Sequence, residues 1–300
     1  MLTNFFSNTK PFTSVIIIAL FFCYMFSGYF TGFVDTLNFS SGFWFLVLFG
    51  LVNFIKSRNN LTFDNSYFFL IFVILLGYFP SVIKIDSFFY SNFILLVYVR
   101  RMYSLQSSKN IIKKLFDCGF WMGISVIIEP FTIVLFPLTF LSILMHQHID
   151  YRRLTTPILG FITPIIIYFT YCFWYDNEQT FYSLLGFTTY YDFSIYFSFI
   201  YKFSLSVLLG FTFIAFVMKT PRTLSIKNAF RKNWILVSIH LLSTIILLLI
   251  LKDRSGEELA YLIFPCAIVI ANGFELLQKK WFADLILIVL FIGSLVHYFM

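Results

Sequence analysis

The chain has 300 residues, of which 60% are hydrophobic and only 12% are charged. A soluble domain is roughly 45–50% apolar and about 25% charged, so this chain carries about half the usual charge. Phe alone supplies 44 residues, and a soluble core of this size cannot hide so much apolar surface. The composition excludes a soluble enzyme, a soluble nucleic-acid-binding domain and a disordered protein, and it indicates a polytopic membrane protein.

Eleven apolar segments follow one another along the chain. A spanning helix needs about 20 apolar residues, and tilted or broken helices can be shorter. The predicted segments are residues 12–32, 42–55, 67–83, 87–99, 117–129, 131–146, 156–174, 198–218, 234–251, 259–277 and 282–299. We expect an all-α transmembrane bundle in one integral membrane domain, residues 1–300, without a soluble domain. The short segments 42–55, 87–99 and the pair within 117–146 leave open whether each crosses fully.

The positive charges predict which ends of these segments face the cytoplasm, because short cytoplasmic loops carry an excess of Lys and Arg. With a cytoplasmic N-terminus, 17 of the 21 basic residues fall inside. The four outside are Lys84, Lys202, Lys252 and Arg254. The net charge of +7 thus reflects topology and contact with anionic lipid head groups, and nucleic acid is not an expected partner. The two longest inner loops, 100–116 and 219–233, could form short surface helices.

Cysteines and short motifs offer little chemistry. Cys23, Cys118, Cys172 and Cys266 lie in or beside apolar segments and form no CxxC pair, which favours small buried side chains over a disulfide framework. The sequence holds no HExxH, Walker A, GxSxG or GxGxxG motif. It therefore points away from ATPases, zinc proteases and the usual serine hydrolases, and we expect neither a metal nor a cofactor.

Two carboxylates are candidate functional groups. Glu129 precedes Pro130 between two apolar segments, where an acid at membrane depth is costly and therefore a functional candidate. Because Pro130 turns the chain, the alternative is a solvated or helix-capping acid at the tip of a helical hairpin. Asp35 lies in the first predicted outer loop, where a lone acid has no special meaning by itself.

A polar run, residues 252–261, precedes Pro265 at the predicted outer surface. Lys252 and Arg254 could neutralise a lipid phosphate, Arg through two parallel hydrogen bonds, with Tyr261 beside them. The alternative is a loop whose charges pair with one another. His240 lies in the middle of another segment, where a histidine can relay protons but more often bonds a neighbouring helix.

The longest predicted outer segment, residues 176–197, is rich in aromatic side chains. Aromatic rings concentrate at the depth of the lipid head groups. The pattern favours an anchoring interfacial helix or loop, and the alternative is a groove for a lipid substrate.

Three stretches resemble a known family. They are the opening residues 2–11, the run 113–124 and the run 160–164. In them the chain resembles an uncharacterised family of multi-pass inner-membrane proteins of this length from Bacteroidota, a domain of unknown function. The resemblance covers the whole chain in length and segment order. It implies a location in the bacterial inner membrane, and its motifs describe no chemistry.

A looser resemblance is to the GT-C glycosyltransferases, which take sugars from polyprenyl-phosphate carriers. It rests on the many-helix topology, on an acid in the first outer loop, and on a late Arg…Tyr…Pro pattern, here Arg254, Tyr261 and Pro265. It implies that Asp35 is the base or metal ligand and that Arg254, with Lys252, holds the lipid phosphate. The paired acids of that loop are reduced to one here, which weakens metal binding and general-base catalysis.

Three functions follow from these observations. The first is a non-enzymatic subunit or scaffold of an inner-membrane cell-envelope complex with a GT-C-like architecture, whose partners are membrane lipids and membrane proteins. The second is a GT-C-type glycosyltransferase that uses a polyprenyl-phosphate sugar on the outer face, with Asp35 and then Glu129 as its catalytic candidates. The third is a transporter of a lipid or small solute, which needs a polar cavity near His240.

Overall fold

The computed structural model describes residues 2–32, 39–146, 149–184, 186, 192–225, 228–252 and 254–299. Within these ranges the chain is helical and contains no β-strand. The α-helices, in chain order, are α1 (Leu2–Phe6), α2 (Pro11–Phe30), α3 (Phe39–Arg58), α4 (Tyr67–Tyr78), α5 (Ser87–Tyr103), α6 (Ile111–Ile128), α7 (Pro137–Met145), α8 (Tyr151–Trp174), α9 (Glu178–Ser183), α10 (Phe199–Leu224), α11 (Asn228–Ile250), α12 (Ala260–Phe274) and α13 (Lys280–Phe299). Short 3-10 helices occupy Pro80–Ile83, Ser104–Gln106, Pro130–Leu135, Ser194–Phe197 and Glu257–Leu259.

Six helices in the described part of the chain are long and apolar enough to cross a membrane. They are Pro11–Phe30, Phe39–Arg58, Tyr151–Trp174, Phe199–Leu224, Phe230–Ile250 and Glu257–Phe274. Tyr67–Tyr78 and Pro130–Met145 are shorter apolar helices. Because a helix satisfies its own backbone hydrogen bonds, these elements suit a bilayer, and the chain is an α-helical membrane protein. The count of eleven crossings and the cytoplasmic N-terminus stay predictions.

Several predicted boundaries need correction. Segment 42–55 is the middle of the 20-residue α3, because the apolar pattern continues outward through Phe39 and the helix ends only at the basic residue Arg58. The predicted inner loops are mostly the ends of long helices, since α10 continues to Leu224 and α11 begins at Asn228. The break predicted at Glu129 is present: α6 ends at Ile128 and a 3-10 helix starts at Pro130.

The helices form two compact units. Unit 1 comprises Met1–Ile85, Asp192–Val237 and Arg254–Met300, and unit 2 comprises Asp86–Tyr191 and Ser238–Asp253. In unit 1, α4 and α12 are buried along nearly their whole length and form the core. Helix α4 packs against α2, α12 and α13, and α12 packs against α10. The polar groups that flank this core are therefore placed by two apolar helices.

Unit 2 depends on close contact between backbones. A side chain on Gly119 of α6 would clash with the carbonyl oxygen of Pro157 in α8, and one on Gly160 of α8 would clash with the carbonyl of Phe116. At Gly123 an added Cβ would lie 2.5 Å from the carbonyl oxygen of Phe161. Small residues allow membrane helices to approach in this way. Two of the stretches that carry the family resemblance thus form the α6–α8 contact.

One end of unit 1 gathers the starts of three helices. The hydroxyls of Thr13 in α2 and Ser66, next to α4, lie 3.0 Å apart, and the amide of Thr3 donates to the Asp284 carboxylate of α13 at 2.6 Å. We call this the inner end, following the predicted orientation, and the opposite end the outer end. Loop 59–66, which joins α3 to α4, lies at the inner end.

Candidate functional site

Two buried glutamates flank α12. Glu258 precedes the helix by two residues, and Glu275 directly follows its last residue, Phe274. A buried carboxylate in a membrane protein is costly unless it is bonded, and it is a functional hypothesis by default. We call the groups around Glu275 the inner cluster and those around Glu258 the outer cluster. The inner cluster is Lys56, Phe63, Asn65, Lys219, Phe230 and Glu275, and the outer cluster is Asp192, Phe193, Tyr196, Arg254 and Glu258.

In the inner cluster, Glu275 joins three separate parts of unit 1. Its Oε1 accepts hydrogen bonds of 2.8 Å from the Phe63 amide and from Asn65 Nδ2, both in loop 59–66. Its Oε2 lies 3.6 Å from Lys219 Nζ of α10, and these two side chains are only 3% and 4% exposed. The carboxylate therefore ties loop 59–66 and α10 to the end of α12.

Lys219 is held by aromatic rings as well as by the carboxylate. Its Nζ lies 5.3 Å from the centroid of the Phe63 ring and 5.1 Å from that of Phe230. The two rings are parallel within 8°. Such contacts stabilise a cation by its attraction to the ring face. A second buried lysine, Lys56, donates to the Asn65 carbonyl at 3.0 Å, so both ammonium groups support loop 59–66.

Burial sets the protonation of Glu275, which lies just past the spanning helix Glu257–Phe274. Removal from water raises the pKa of its carboxyl above the usual glutamate value. The Asn65 hydrogen bond, the charge of Lys219 and the Phe63 amide act in the opposite direction, and burial remains the largest cause. The carboxyl therefore takes up a proton at a higher pH than an exposed glutamate does.

In the outer cluster, Glu258 is fully buried and bonded by neutral donors. Its Oε2 accepts from the amides of Ser255 at 3.1 Å and Gly256 at 2.9 Å, and its Oε1 accepts from the Tyr196 hydroxyl. Gly256 has a φ of +92°, and a Cβ there would clash with the Tyr201 hydroxyl. Burial and the charge of Glu258 raise the pKa of Tyr196. The carboxylate thus shapes the loop that leads into α12.

Arg254 is bound by the chain itself. Its Nη1 donates to the Asp192 carbonyl at 2.9 Å, and its Cζ lies 4.0 Å from the centroid of the Phe193 ring. The Asp192 carboxylate accepts from the Ser194 amide at 2.8 Å. That hydrogen bond is the main cause, and the charge of Arg254 a smaller one, of a lowered pKa for Asp192. The guanidinium therefore fixes the chain around residue 192.

The other predicted site residues lie as follows. Asp35 falls outside the described residues. Glu129 is half-buried in unit 2, where its carbonyl accepts from the Thr132 hydroxyl at 2.7 Å. Lys252, also in unit 2, is exposed, whereas Tyr261 is 2% exposed within α12 of unit 1. Of the predicted lipid-phosphate contacts, Arg254 alone is part of the outer cluster.

His240 and three of the four cysteines are buried. His240 Nδ1 lies 3.3 Å from the Tyr103 hydroxyl, which is the helix-to-helix bond that the sequence favoured. Cys118, Cys172 and Cys266 are buried, but Cys23 is exposed, so the expectation of burial is wrong there because α2 turns that side outward. In the described part of the chain, no group of three or more His, Cys, Asp or Glu side chains could hold a metal ion.

The sequence reasoning missed the inner cluster. Glu275 falls inside the predicted segment 259–277, and an acid inside a predicted span was an available signal. Lys219 directly follows segment 198–218, where the charge pattern indicates only a basic loop residue. Their meeting depends on loop 59–66, which is about 210 residues from Glu275 along the chain. A linear pattern contains no sign of that contact.

Comparison with known proteins places the chain in a family. The model of a family of unknown function (DUF6427) matches residues 1–300. The chain belongs to this family. No curated protein and no solved structure matches the chain. Membership of DUF6427 confirms the resemblance to an uncharacterised family over the whole chain, and it assigns no chemistry, so a function must be argued from the structure.

Proposed function

We propose that this DUF6427 protein is a non-enzymatic integral subunit or scaffold of an inner-membrane cell-envelope complex. The observation that carries the proposal is the face of α8 that points away from α6. Only 22% of the most apolar stretch of α8 is buried. Along this face Leu159, Ile166 and Phe173 are 62%, 57% and 58% exposed, and they recur every seven residues. A seven-residue repeat is the spacing at which one helix meets another along its length.

Threonines complete the repeat. Thr156, Thr163 and Thr170 precede these three apolar residues by three positions each, so the two sets alternate like the a and d positions of a heptad. Thr163 and Thr170 donate to the carbonyls of Leu159 and Ile166, each at 2.8 Å. These bonds keep the hydroxyls satisfied within α8, and Ser and Thr are enriched where membrane helices pack. The repeat supports a partner helix along α8.

The polar clusters support the same proposal. In the outer cluster Arg254 binds the Asp192 carbonyl and the Phe193 ring, and Glu258 binds the amides of its own loop. In the inner cluster Glu275 binds Asn65 and Lys219. Each of these charged groups stabilises the fold of unit 1 through groups of the same chain. That use of the charges suits a scaffold more than a catalytic surface.

The proposal is tested by photo-crosslinking in native membranes. A crosslinking amino acid at position 166 should give a discrete adduct with a partner protein. The matched control is position 289 on α13, where Val289 is 50% exposed, and it should crosslink to lipid. Thr163→Trp should abolish the adduct at 166 while leaving the protein in the membrane. A protein that extracts as a clean monomer, with lipid adducts at both positions, would contradict the proposal.

One observation favours a second function. Arg254 precedes α12 by six residues, and Tyr261 and Pro265 lie within the helix; this is the sequence order on which the GT-C resemblance rests. The second candidate is therefore a GT-C-type glycosyltransferase that uses a polyprenyl-phosphate sugar. Asp35→Asn should then abolish complementation of a deletion strain at an unchanged membrane level. Full complementation by Asp35→Asn would remove this candidate and leave the scaffold.

A further inference from the structure

Unit 1 contains an apolar cavity of about 290 Å³ just below its inner end. Three helices line most of it: Ile17 and Leu20 come from α2, Leu70 and Ile74 from α4, and Leu287 and Ile288 from α13. An engineered cavity of about 150 Å³ with such a lining stays dry and binds benzene or xenon. The present cavity is larger and partly open at the protein surface, so within a bilayer its apolar lining favours an apolar guest over water.

The lining extends from the core to the lipid-facing surface. Ile17 and Ile74 are buried, at 0% and 1% exposed, but Ile16 and Ile288 in the same lining are 38% and 44% exposed. In a membrane protein the exposed apolar sides of α2 and α13 meet acyl chains. A chain of the bilayer can thus reach the cavity from the side without crossing a polar layer.

The short helix α1 contributes to the lining at the inner end. Phe6 of α1 is buried and belongs to the lining. The helix is held by a hydrogen bond of 2.8 Å from the Tyr67 hydroxyl to the Thr3 carbonyl and by one of 3.0 Å from the Ser66 amide to the Phe6 carbonyl. The exposed residues Ile16 and Ile288 mark the side on which a bilayer chain reaches the cavity.

Exposed cations lie about two helical turns before lining residues of α2 and α13. Lys10 precedes α2, Lys279 precedes α13, and Lys280 is the first residue of α13. At about 1.5 Å per residue, Ile17 lies about 10 Å along α2 from Lys10, and Leu287 lies about 10 Å along α13 from Lys280. A phospholipid has this arrangement, with its charge at the interface and its chain directly below. Cations next to the membrane attract anionic head groups.

Two acids at this end bond groups of the protein and keep their negative charge beside the three lysines. The Asp284 carboxylate accepts from the Thr3 amide at 2.6 Å, and the Asp64 carboxylate accepts from the Thr9 hydroxyl at 2.9 Å. We propose that an anionic phospholipid binds here, with one acyl chain in the cavity and its head group against Lys10, Lys279 and Lys280. This inference rests on the membrane location of the chain and is independent of the scaffold function.

Native mass spectrometry after delipidation in detergent tests the site. Wild-type protein should retain one phosphatidylglycerol when this lipid is offered, and markedly less phosphatidylcholine. Ile74→Trp fills the cavity and should lower phosphatidylglycerol retention at least tenfold. The matched control is Leu46→Trp, which lies in a separate apolar groove between α2 and α3 and should bind as wild type does. Equal retention by Ile74→Trp and wild type would overturn the proposal.

Two further variants test the acyl-chain site and the head-group site separately. If Ile74→Trp does not fold, Ile74→Ala enlarges the cavity instead, and phosphatidylglycerol should then raise its melting temperature more than that of wild type. No difference in that shift would contradict a chain in the cavity. The triple change Lys10→Gln, Lys279→Gln and Lys280→Gln should keep binding but lose the preference for the anionic lipid. An unchanged preference, or retention of a neutral isoprenoid lipid in its place, would refute the head-group assignment.

Discussion

Each end of α12 has one buried glutamate, and the two carboxylates are stabilised in different ways. At the outer end Glu258 is bonded by two amides of residues within three positions and by the Tyr196 hydroxyl. At the inner end Glu275 is bonded by loop 59–66 and faces the ammonium group of Lys219. Neutral donors, two of the three from the same loop, shape the loop at Glu258, whereas an ion pair and donors about 210 positions away join separate parts of unit 1 at Glu275. Glu275 therefore connects more parts of unit 1 than Glu258 does.

The largest expected effect is that of Glu275→Ala. Removing one partner of a buried ion pair leaves the other charge uncompensated, which costs about 3–5 kcal/mol in the free energy of unfolding. Thermal unfolding in detergent measures this as a fall in melting temperature. The double variant Lys219→Met, Glu275→Gln should recover most of the loss, because it removes both charges and retains an acceptor for Asn65. A double variant as unstable as Glu275→Ala would show that the pair is not the cause.

At the outer end, Glu258→Gln is expected to cost less. One of the three donors loses its acceptor, and an unsatisfied buried donor costs about 1–3 kcal/mol. Tyr196→Phe should cost about 0.5–1.5 kcal/mol, since it removes a single hydrogen bond to the same carboxylate. The same unfolding experiment applies to both variants. If Glu258→Gln were to cost as much as Glu275→Ala, the contrast between local and distant partners would fail.

Gly256→Ala tests the backbone of the outer loop. Its φ of +92° disfavours any side chain, and the added Cβ meets the Tyr201 hydroxyl. We expect a loss of about 1–3 kcal/mol in the free energy of unfolding. Gly210→Ala in α10 is the control, since no atom lies within 4 Å of its added Cβ, and it should be neutral or stabilising by about 0.5–1 kcal/mol. Similar losses in both variants would contradict a strain at Gly256.

The smallest expected effect is a pH dependence of the free energy of unfolding that arises from Glu275 at the inner end. The pKa of Glu275 is raised in the folded protein, so the folded state binds more protons between the usual and the raised value. Stability should therefore be greatest below the usual glutamate pKa and should fall as the pH rises through the raised one. Unfolding measured across this range should show the fall in wild type and a flatter profile in Glu275→Gln. Identical profiles would exclude Glu275 as the titrating group.

Much of the fold follows from local pattern. Apart from up to three residues at an end, each predicted apolar segment lies on an α-helix or on a helix joined to a 3-10 helix, because helices hold their backbone bonds within one stretch of sequence. The break at Pro130 and the helix-to-helix bond of His240 also follow from single residues. The ends of the helices follow less directly from the sequence. Pro157 and Pro164, residues that often end a helix, lie inside the 24-residue α8.

The site was less predictable because its contacts are distant in sequence. Arg254 was recognised as a cation at the outer surface, but its binding to Asp192 joins residues 62 positions apart. Glu275 depends on Phe63 and Asn65, more than 200 positions away. Hydrophobic periodicity predicts which side of a helix is apolar, but it does not predict which loop contacts the end of that helix. Whether a buried charge has a partner is decided by tertiary packing.

The glycine contacts between α6 and α8 bear on how relatives of this chain can be recognised. Lipid-facing Phe, Ile and Leu residues exchange with little consequence, so similarity over them fades quickly as sequences diverge. Gly119, Gly123 and Gly160 admit no larger residue while the two backbones touch. We expect these three positions, at separations of four and 37 residues, to persist in remote members of the family after the aromatic residues have changed. A profile weighted towards them would detect homologues that overall hydrophobic similarity cannot separate from unrelated membrane proteins.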